Sequence, residues 1–286
     1  MMRLFDAHAD TPFEIWSRQE SLKKNSCHID KEKAGAFAQY KQIFAFCSMV
    51  GLSCEMTQEH FVECLAYFRR EIEGQQWVTP YLSIEGAEVI GCEPERLGEL
   101  DGFVTSTLTW NADNALAGWH KSDKGLTEQG RAYVQAAREA GILIDVSHLS
   151  EKAFWDLMKV TQAPVLASHS NCRASWNHSR NLTDDQLRAL AETGGLVGLN
   201  LYVHFLGEKA DFETLRRHLE HMLRICGEKH VCLGGDLDGC EVLPEGFVNV
   251  ASYADFYRYL QGCGYGEALL DDVFYGNMER LIEGGR

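Results

Sequence analysis

The sequence predicts a single (β/α)8 barrel of the TIM type, carrying extra C-terminal helices, over residues 1–286. Three observations carry that prediction. Eight short apolar runs recur along the chain, and helical patterns lie between most of them. No Pro/Gly/Ser-rich linker, charge block or short repeat divides the 286 residues. Finally, six metal-capable or charged residues, His8, Asp10, Glu85, His148, His169 and Asp236, sit where five of the apolar runs end. A parallel α/β barrel builds its active site at the carboxyl ends of its strands.

In chain order, the strand-like runs are Leu4–Thr11, Gln42–Gly51, Val78–Glu88, Phe103–Asn111, Ile142–His148, Val165–Ser170, Leu196–Tyr202 and Val231–Gly239. Their aliphatic character is that of parallel strands buried on both faces. Helical periodicity covers Thr57–Gly74, Thr127–Ala140, Glu151–Thr161, Thr183–Thr193 and Phe212–Gly227. Thr127, Ser150 and Thr183 each precede a helix with acidic residues in its first turn, as N-caps do. Gly141 and Gly194 follow the last periodic residue of theirs. Asn111–Gly125 lacks periodicity and reads as a long functional loop. Ser252–Gly262 and Glu267–Ile282 read as two helices that close the barrel or pack on it.

Composition narrows the partners. With 42 acidic and 27 basic residues the formal charge is −15, which disfavours nucleic acid and anionic membrane surfaces. No apolar span approaches about 18 residues, so no transmembrane helix is expected. The opening MMRLFDAHAD is strand-like and lacks the basic and apolar regions of a signal peptide. The ten cysteines form no CxxC pair and no compact framework. They read as reduced, mostly buried thiols, and the expected location is the cytoplasm.

Asp6, His8 and Asp10 alternate along the first strand, which would put all three on one face. Acids buried in a barrel need neutralisation, so the HxD of His8 and Asp10 reads as a two-ligand metal clamp. A lone strand-end histidine is normally a packed residue. His148 and His169 together, ending consecutive strands about 4.8 Å apart, converge on one ion instead. Two metals roughly 3.5–4 Å apart need a shared carboxylate. Glu85 is the better candidate; Glu88 lies three residues further on, where the chain should have left the strand. Asp236, in LGGDLDG, is placed for proton transfer to a leaving group, and Asp238 shares its strand parity. Arg180, after strand six, reads on its own as an ordinary loop arginine; the functional alternative is a fork for a carboxylate. His218 and His221, at i and i+3 on one helix, read as part of a solvated face, and His120 as a surface loop histidine.

The motifs DAHADTP, SIEGAE, GLTEQGR, ILIDVSHLS, SHSNCRA, SRNLTDDQL and GGDLDG together resemble the membrane dipeptidase (renal dipeptidase) family, from about residue 4 to residue 240. These are zinc hydrolases of the amidohydrolase type on a distorted (β/α)8 barrel. The resemblance implies two Zn2+ ions per chain: His8 and Asp10 on one, His148 and His169 on the other, Glu85 bridging. It also implies that Asp236 contacts the bridging water or the substrate amine, and that Arg180 holds a C-terminal carboxylate. A homodimer is compatible with the resemblance, while the sequence itself is silent on oligomeric state.

One departure stands out. Animal members carry a histidine in the strand-four motif, where this chain reads STLTWNADN with Trp110. Tryptophan donates one N–H and carries no charge. Trp110, with neighbouring Asn111 and with His178 close to Arg180, completes the expected substrate contacts.

The expected activity is hydrolysis of dipeptides by a metal-bridging hydroxide, with a small-molecule dipeptide as substrate. Two alternatives stay open on the sequence: another amide hydrolase acting on N-acyl amino acids or β-lactams, and a non-catalytic metal- or peptide-binding barrel.

Overall fold

In the computed structural model, residues 2–284 are described, and eight parallel strands close in chain order into a barrel. They are β1 (Arg3–Ala9), β2 (Gln39–Cys47), β3 (Thr79–Glu85), β4 (Phe103–Thr107), β5 (Leu143–Asp145), β6 (Leu166–Ala167), β7 (Leu196–Leu199) and β8 (Val231–Leu233). Each of the eight expected runs overlaps one, with β1 and β2 beginning one and three residues earlier than expected. The strands differ greatly in length, and β5, β6 and β8 stop before the histidines and aspartate of their runs. His148, His169 and Asp236 therefore sit on the first residues of the loops, which gives their backbones freedom a ladder would deny.

The helices follow from capping and amphipathic pattern: α1 (Thr11–Arg18), α2 (Cys54–Ile72), α3 (Glu128–Glu139), α4 (Glu151–Met158), α5 (Asp184–Glu192), α6 (Phe212–Cys226), α7 (Tyr253–Gly262), α8 (Glu267–Asp271) and α9 (Asn277–Glu283). The caps act as expected. Thr127, Ser150 and Thr183 accept from the backbone N–H groups of Gly130, Ala153 and Gln186 at 3.0, 2.9 and 3.2 Å. Two elements differ from expectation. The helix α1 follows β1 directly, within a segment too short to display periodicity. The predicted Glu267–Ile282 helix is interrupted by a π-helical turn at Asp272–Gly276, a widening that swings Tyr275 inward.

That swing closes the barrel floor. Phe5, Ala7, Ile43, Val104, Leu166, Leu196 and Cys232 fill the interior and pack with Tyr275, Met278 and Ile282 from the C-terminal segment. A larger apolar layer lies between the strands and the surrounding helices. The floor is thus packed with apolar side chains, and the clustered histidines and carboxylates collect at the opposite, carboxyl end. No helix among the described residues is long and apolar enough to cross a membrane. All ten cysteines are unpaired, and seven are buried.

Strand β1 is irregular where it matters. Its pairing with β2 slips between Asp6↔Gln42 and Ala9↔Phe44. Strict alternation therefore breaks: Phe5 and Ala7 face the interior, yet His8 also turns to the barrel mouth. The expectation that Asp6, His8 and Asp10 share one face is corrected by this slip. Asp6 Oδ1 instead accepts from His8 N and Gln42 Nε2, both at 3.0 Å, and Oδ2 from Gly235 N and Tyr253 Oη at 2.9 and 2.6 Å. It is a brace joining β1, β2, the β8 loop and α7.

Candidate metal centre

The six strand-end residues converge. His8 Nε2 lies 3.5 Å from Glu85 Oε1, 3.8 Å from Asp10 Oδ1 and 4.0 Å from Asp236 Oδ1. Glu85 Oε1 is also 3.0 Å from His148 Nε2 and 3.4 Å from His169 Nε2. Glu85 is the last residue of β3 and occupies the middle of the cluster. Glu88 is carried away because Gly86, at φ 88°, turns the chain immediately after Glu85.

Two hydrogen-bonded relays set which nitrogens face inward. Asp145 Oδ1 accepts from Ser147 N and Ser168 N at 2.9 and 3.0 Å, and its Oδ2 accepts from the Ser168 hydroxyl. Ser168 Oγ, its proton committed to Asp145, is 2.6 Å from His169 Nδ1 and accepts from it. Likewise Asn111 Oδ1, an acceptor only, lies 3.2 Å from His148 Nδ1. Both imidazoles thus carry their proton on Nδ1 and present bare Nε2 lone pairs to the cluster. Burial, with Arg180 as the next cause, lowers the His148 pKa to about 4. Burial, with His8 and then Arg180 behind it, holds His169 well below its usual value.

The acids show the complementary strain. Burial and the adjacent Glu85 carboxylate push Asp10 up to about 8. Burial also raises Asp236, against the pull of His8. Glu85 would rise with burial too, but His8, His148 and His169 outweigh that and hold it well below the carboxylate range. His8 runs against its burial: Glu85 and Asp10 raise it well above the ordinary value.

A divalent cation fits this donor set. Both ring nitrogens of His8 and Oδ1 of Asp10 are buried and have no hydrogen-bond partner among the described residues. Such orphans are expensive unless a cation displaces the His8 proton and takes one ring lone pair together with that of Asp10. Gly239 completes the cradle: a side chain there would meet Asp10 Oδ2 at 2.1 Å and Asp236 Oδ1 at 2.5 Å. The backbone is held unfavourably at the same place. His148 and Asp236 have φ of 70° and 56°, a left-handed conformation costing about 1–3 kcal/mol for such residues.

The cluster opens into a cavity of about 960 Å3. Arg180 lines it, 4% exposed, with Nη2 3.4 Å from His169 O, its guanidinium 5.1 Å from the Phe205 ring centre, and Nε without a partner. Trp110, Asn111 and His178 also line it. Asn111 does so while orienting His148. His178 accepts the Arg180 N–H at Nδ1, 3.1 Å away, which leaves its Nε2 as the donor. Asp236 receives Asn200 Nδ2 at 3.2 Å.

Several residues do something other than expected. His120 is no surface histidine: it lines the cavity, bonds Ser179 Oγ at 2.7 Å, and burial drives its pKa to about 2. His218 is 1% exposed rather than solvated. Its Nδ1 accepts Cys172 N at 3.2 Å, and its Nε2 donates to Leu206 O at 3.1 Å. Asp238 leaves the cluster to accept Thr11 Oγ1 at 2.6 Å and His28 N at 2.5 Å, tying the first loop to the eighth. Asp145 and Ser168 were missed altogether, although each lies within three residues of a predicted ligand.

A closed parallel barrel with histidines and carboxylates gathered at its strand ends has the architecture of the metal-dependent hydrolases. The chain matches the family model of membrane dipeptidase (peptidase family M19) over residues 1–284, and it belongs to that family. A Klebsiella pneumoniae protein from the pqqA 5′ region is 38% identical over 167 residues, 56% of this chain and 60% of that protein. An uncharacterized dipeptidase of Schizosaccharomyces pombe is 31% identical over 214 residues, 71% of this chain and 52% of that one. The chain thus spans between half and two thirds of the length of these curated relatives. Among solved structures, a Rhodobacter sphaeroides metallopeptidase liganded with a phosphinate mimic of L-Ala-D-Ala superposes with TM-score 0.89 at 25% identity, covering 99% of both chains. The M19 metallopeptidase dipeptidase AC gives TM-score 0.90 at 26% identity, covering 99% of this chain and 98% of that one.

Proposed function

We propose that this protein is a zinc-dependent dipeptidase working with two Zn2+ ions. The observation that carries the reading is the facing pair of bare Nε2 atoms on His148 and His169, beside the unpartnered His8 and Asp10, in a cavity shared with a buried, incompletely paired Arg180. The dipeptide mimic in the Rhodobacter sphaeroides relative supports the same substrate class.

His8 and Asp10 would hold one ion, His148 and His169 the other, with Glu85 between them. When bound, zinc lowers the pKa of water to about 7 and polarises a carbonyl. Asp236, whose Oδ2 accepts the Asn200 bond and whose Oδ1 faces His8, takes the proton of the attacking water and returns it to the departing amine. Arg180 receives the C-terminal carboxylate through its free Nε edge, desolvated and therefore strong. The free α-amino group lies on the acidic side, near Asp10 and Asp236. Trp110 and His178 border the substrate; Asn111 does so while keeping His148 in its ligand tautomer. Holding both charged ends is what restricts the substrate to two residues.

Residues 1–286 are read as one domain acting in the cytoplasm, a location supported by ten unpaired thiols. The test is metal analysis coupled to a panel of dipeptides with free and blocked termini. Two zinc ions per chain and cleavage that needs both free termini are expected. Preferential cleavage of N-acylated amino acids or β-lactams would replace the dipeptidase reading. A metal-loaded protein that cleaves none of these would point to a binding role.

A further inference from the structure

We propose that Cys47 is a further metal-ligating residue, whose thiolate joins Asp10 and Glu85 and gives that side of the centre a preference for thiophilic divalent ions. The inference rests on the reading of the cluster as a divalent-cation site. Cys47 is the last residue of β2 and pairs in register with Glu85, the last residue of β3. Side chains paired in register at adjacent strand ends share a face, so the thiol and the central carboxylate point to the same place. One ligand atom each from Asp10, Cys47 and Glu85 lie within 4.8 Å of one another. Asp10 is 9% exposed, and its Oδ1 is buried without a hydrogen-bond partner.

The surroundings of Cys47 differ from those of the packing thiols. Cys64, Cys92 and Cys226 are embedded in the apolar layer between strands and helices. Cys47 is half-buried on the wall of the cavity that holds the cluster. Cys240 also reaches that cavity, where its thiol meets Gly235 O at 3.9 Å and the Asp236 side chain, but it is not part of the Asp10–Cys47–Glu85 group. It therefore serves as the internal control.

Binding is a simple exchange. The Cys47 S–H bond is broken, its proton passes to solvent, and the sulfur lone pair forms the bond to the cation, with no change of oxidation state. Adding one soft donor to an N/O set favours Zn2+ and Cd2+ over Mn2+ and Mg2+.

Cobalt substitution separates this proposal from the reading beneath it. Metal-free wild-type protein, Cys47→Ser and Cys240→Ser are loaded with Co2+ and read by absorption, with bound cobalt measured directly. Wild type and Cys240→Ser are expected to show visible d–d bands and a near-ultraviolet thiolate-to-cobalt charge-transfer band. Cys47→Ser is expected to keep the d–d bands and lose the charge-transfer band, with Cd2+ affinity falling about tenfold more than Mn2+ affinity. A wild-type protein that binds cobalt without the charge-transfer band overturns the proposal and leaves the metal centre intact. Persistence of the band in Cys47→Ser does the same. Failure of all three proteins to bind cobalt overturns the metal centre itself. Should Cys47→Ser not fold, the wild type gives a second readout: alkylation of Cys47 by iodoacetamide, followed by peptide mass spectrometry, must be slowed by Cd2+ and not by Mg2+. Equal rates with both ions overturn the assignment.

Discussion

The Nε2 atoms of His148 and His169 lie 3.0 Å apart, and neither has a proton to offer the other. Asn111 Oδ1 and Ser168 Oγ hold each ring's proton on Nδ1, so two lone pairs face one another beside the Glu85 carboxylate. Only a positive charge between them makes that arrangement favourable.

Removing a proposed ligand tests this relationship. His169→Ala or Asp10→Ala should lose bound metal and dipeptide hydrolysis together, with affinity at the affected site down by about 100-fold or more. Equilibrium dialysis with metal analysis reads it. Full metal content in either variant would contradict the ligand assignment.

Asp236→Asn should keep its metal and lose turnover by about 10²–10⁴-fold, since an amide cannot carry the proton. The variant is structurally mild, because asparagine tolerates the left-handed backbone at this position (φ 56°). Near-normal kcat would mean that Asp236 is not the proton carrier.

Arg180→Lys keeps the charge but not the planar fork. KM for dipeptides should rise about tenfold, with a smaller change in kcat. A dipeptide amide, lacking the carboxylate, should be cleaved poorly by wild type and variant alike. An unchanged KM for free dipeptides sinks the carboxylate clamp.

The Asp145–Ser168–His169 relay predicts an effect at a distance. Ser168→Ala should weaken metal binding by about 10–100-fold while leaving every direct ligand in place. Competition with a chromophoric chelator measures it; wild-type affinity would show that the relay does not set the His169 tautomer.

Metal binding should release protons below about pH 8. Asp10, pushed up to about 8 by burial and Glu85, is protonated in the metal-free protein at neutral pH, and a cation must displace that proton. Affinity should therefore rise with pH and level off only once both Asp10 and His8 have lost their protons. The linkage sign for stability is opposite. Because Asp10 is raised from 3.8, the metal-free fold binds more protons than the unfolded chain between those values, so this group makes it less stable as pH rises through that window. Titration calorimetry in buffers of different ionisation enthalpy counts the protons; no release at pH 7 would contradict the raised carboxyl.

Much of the fold was legible because its signals are local. Apolar runs, capping residues and amphipathic periods marked every strand, and Thr127, Ser150 and Thr183 cap their helices as read. What failed locally failed for physical reasons. The helix α1 is eight residues long and directly follows β1, so it has too few turns to announce a period. The π turn at Asp272–Gly276 exists because Tyr275 must reach the barrel floor, a requirement invisible along the chain.

By itself the sequence determined the barrel class and the residues that close its apolar runs: His8, Asp10, Glu85, His148, His169 and Asp236. Those are properties of neighbours in the chain, and hydrophobic pattern records them. Tertiary structure alone decided where the side chains point. The slip in β1 turned His8 into the cluster and Asp6 away from it, Gly86 separated Glu85 from Glu88, and strand register set Cys47 beside Glu85. It also turned Asp145, Ser168 and Asn111 into the partners that leave two imidazoles with bare Nε2 atoms facing the cluster. Such choices depend on atoms brought together across eight strands, and only closure of the barrel supplies them.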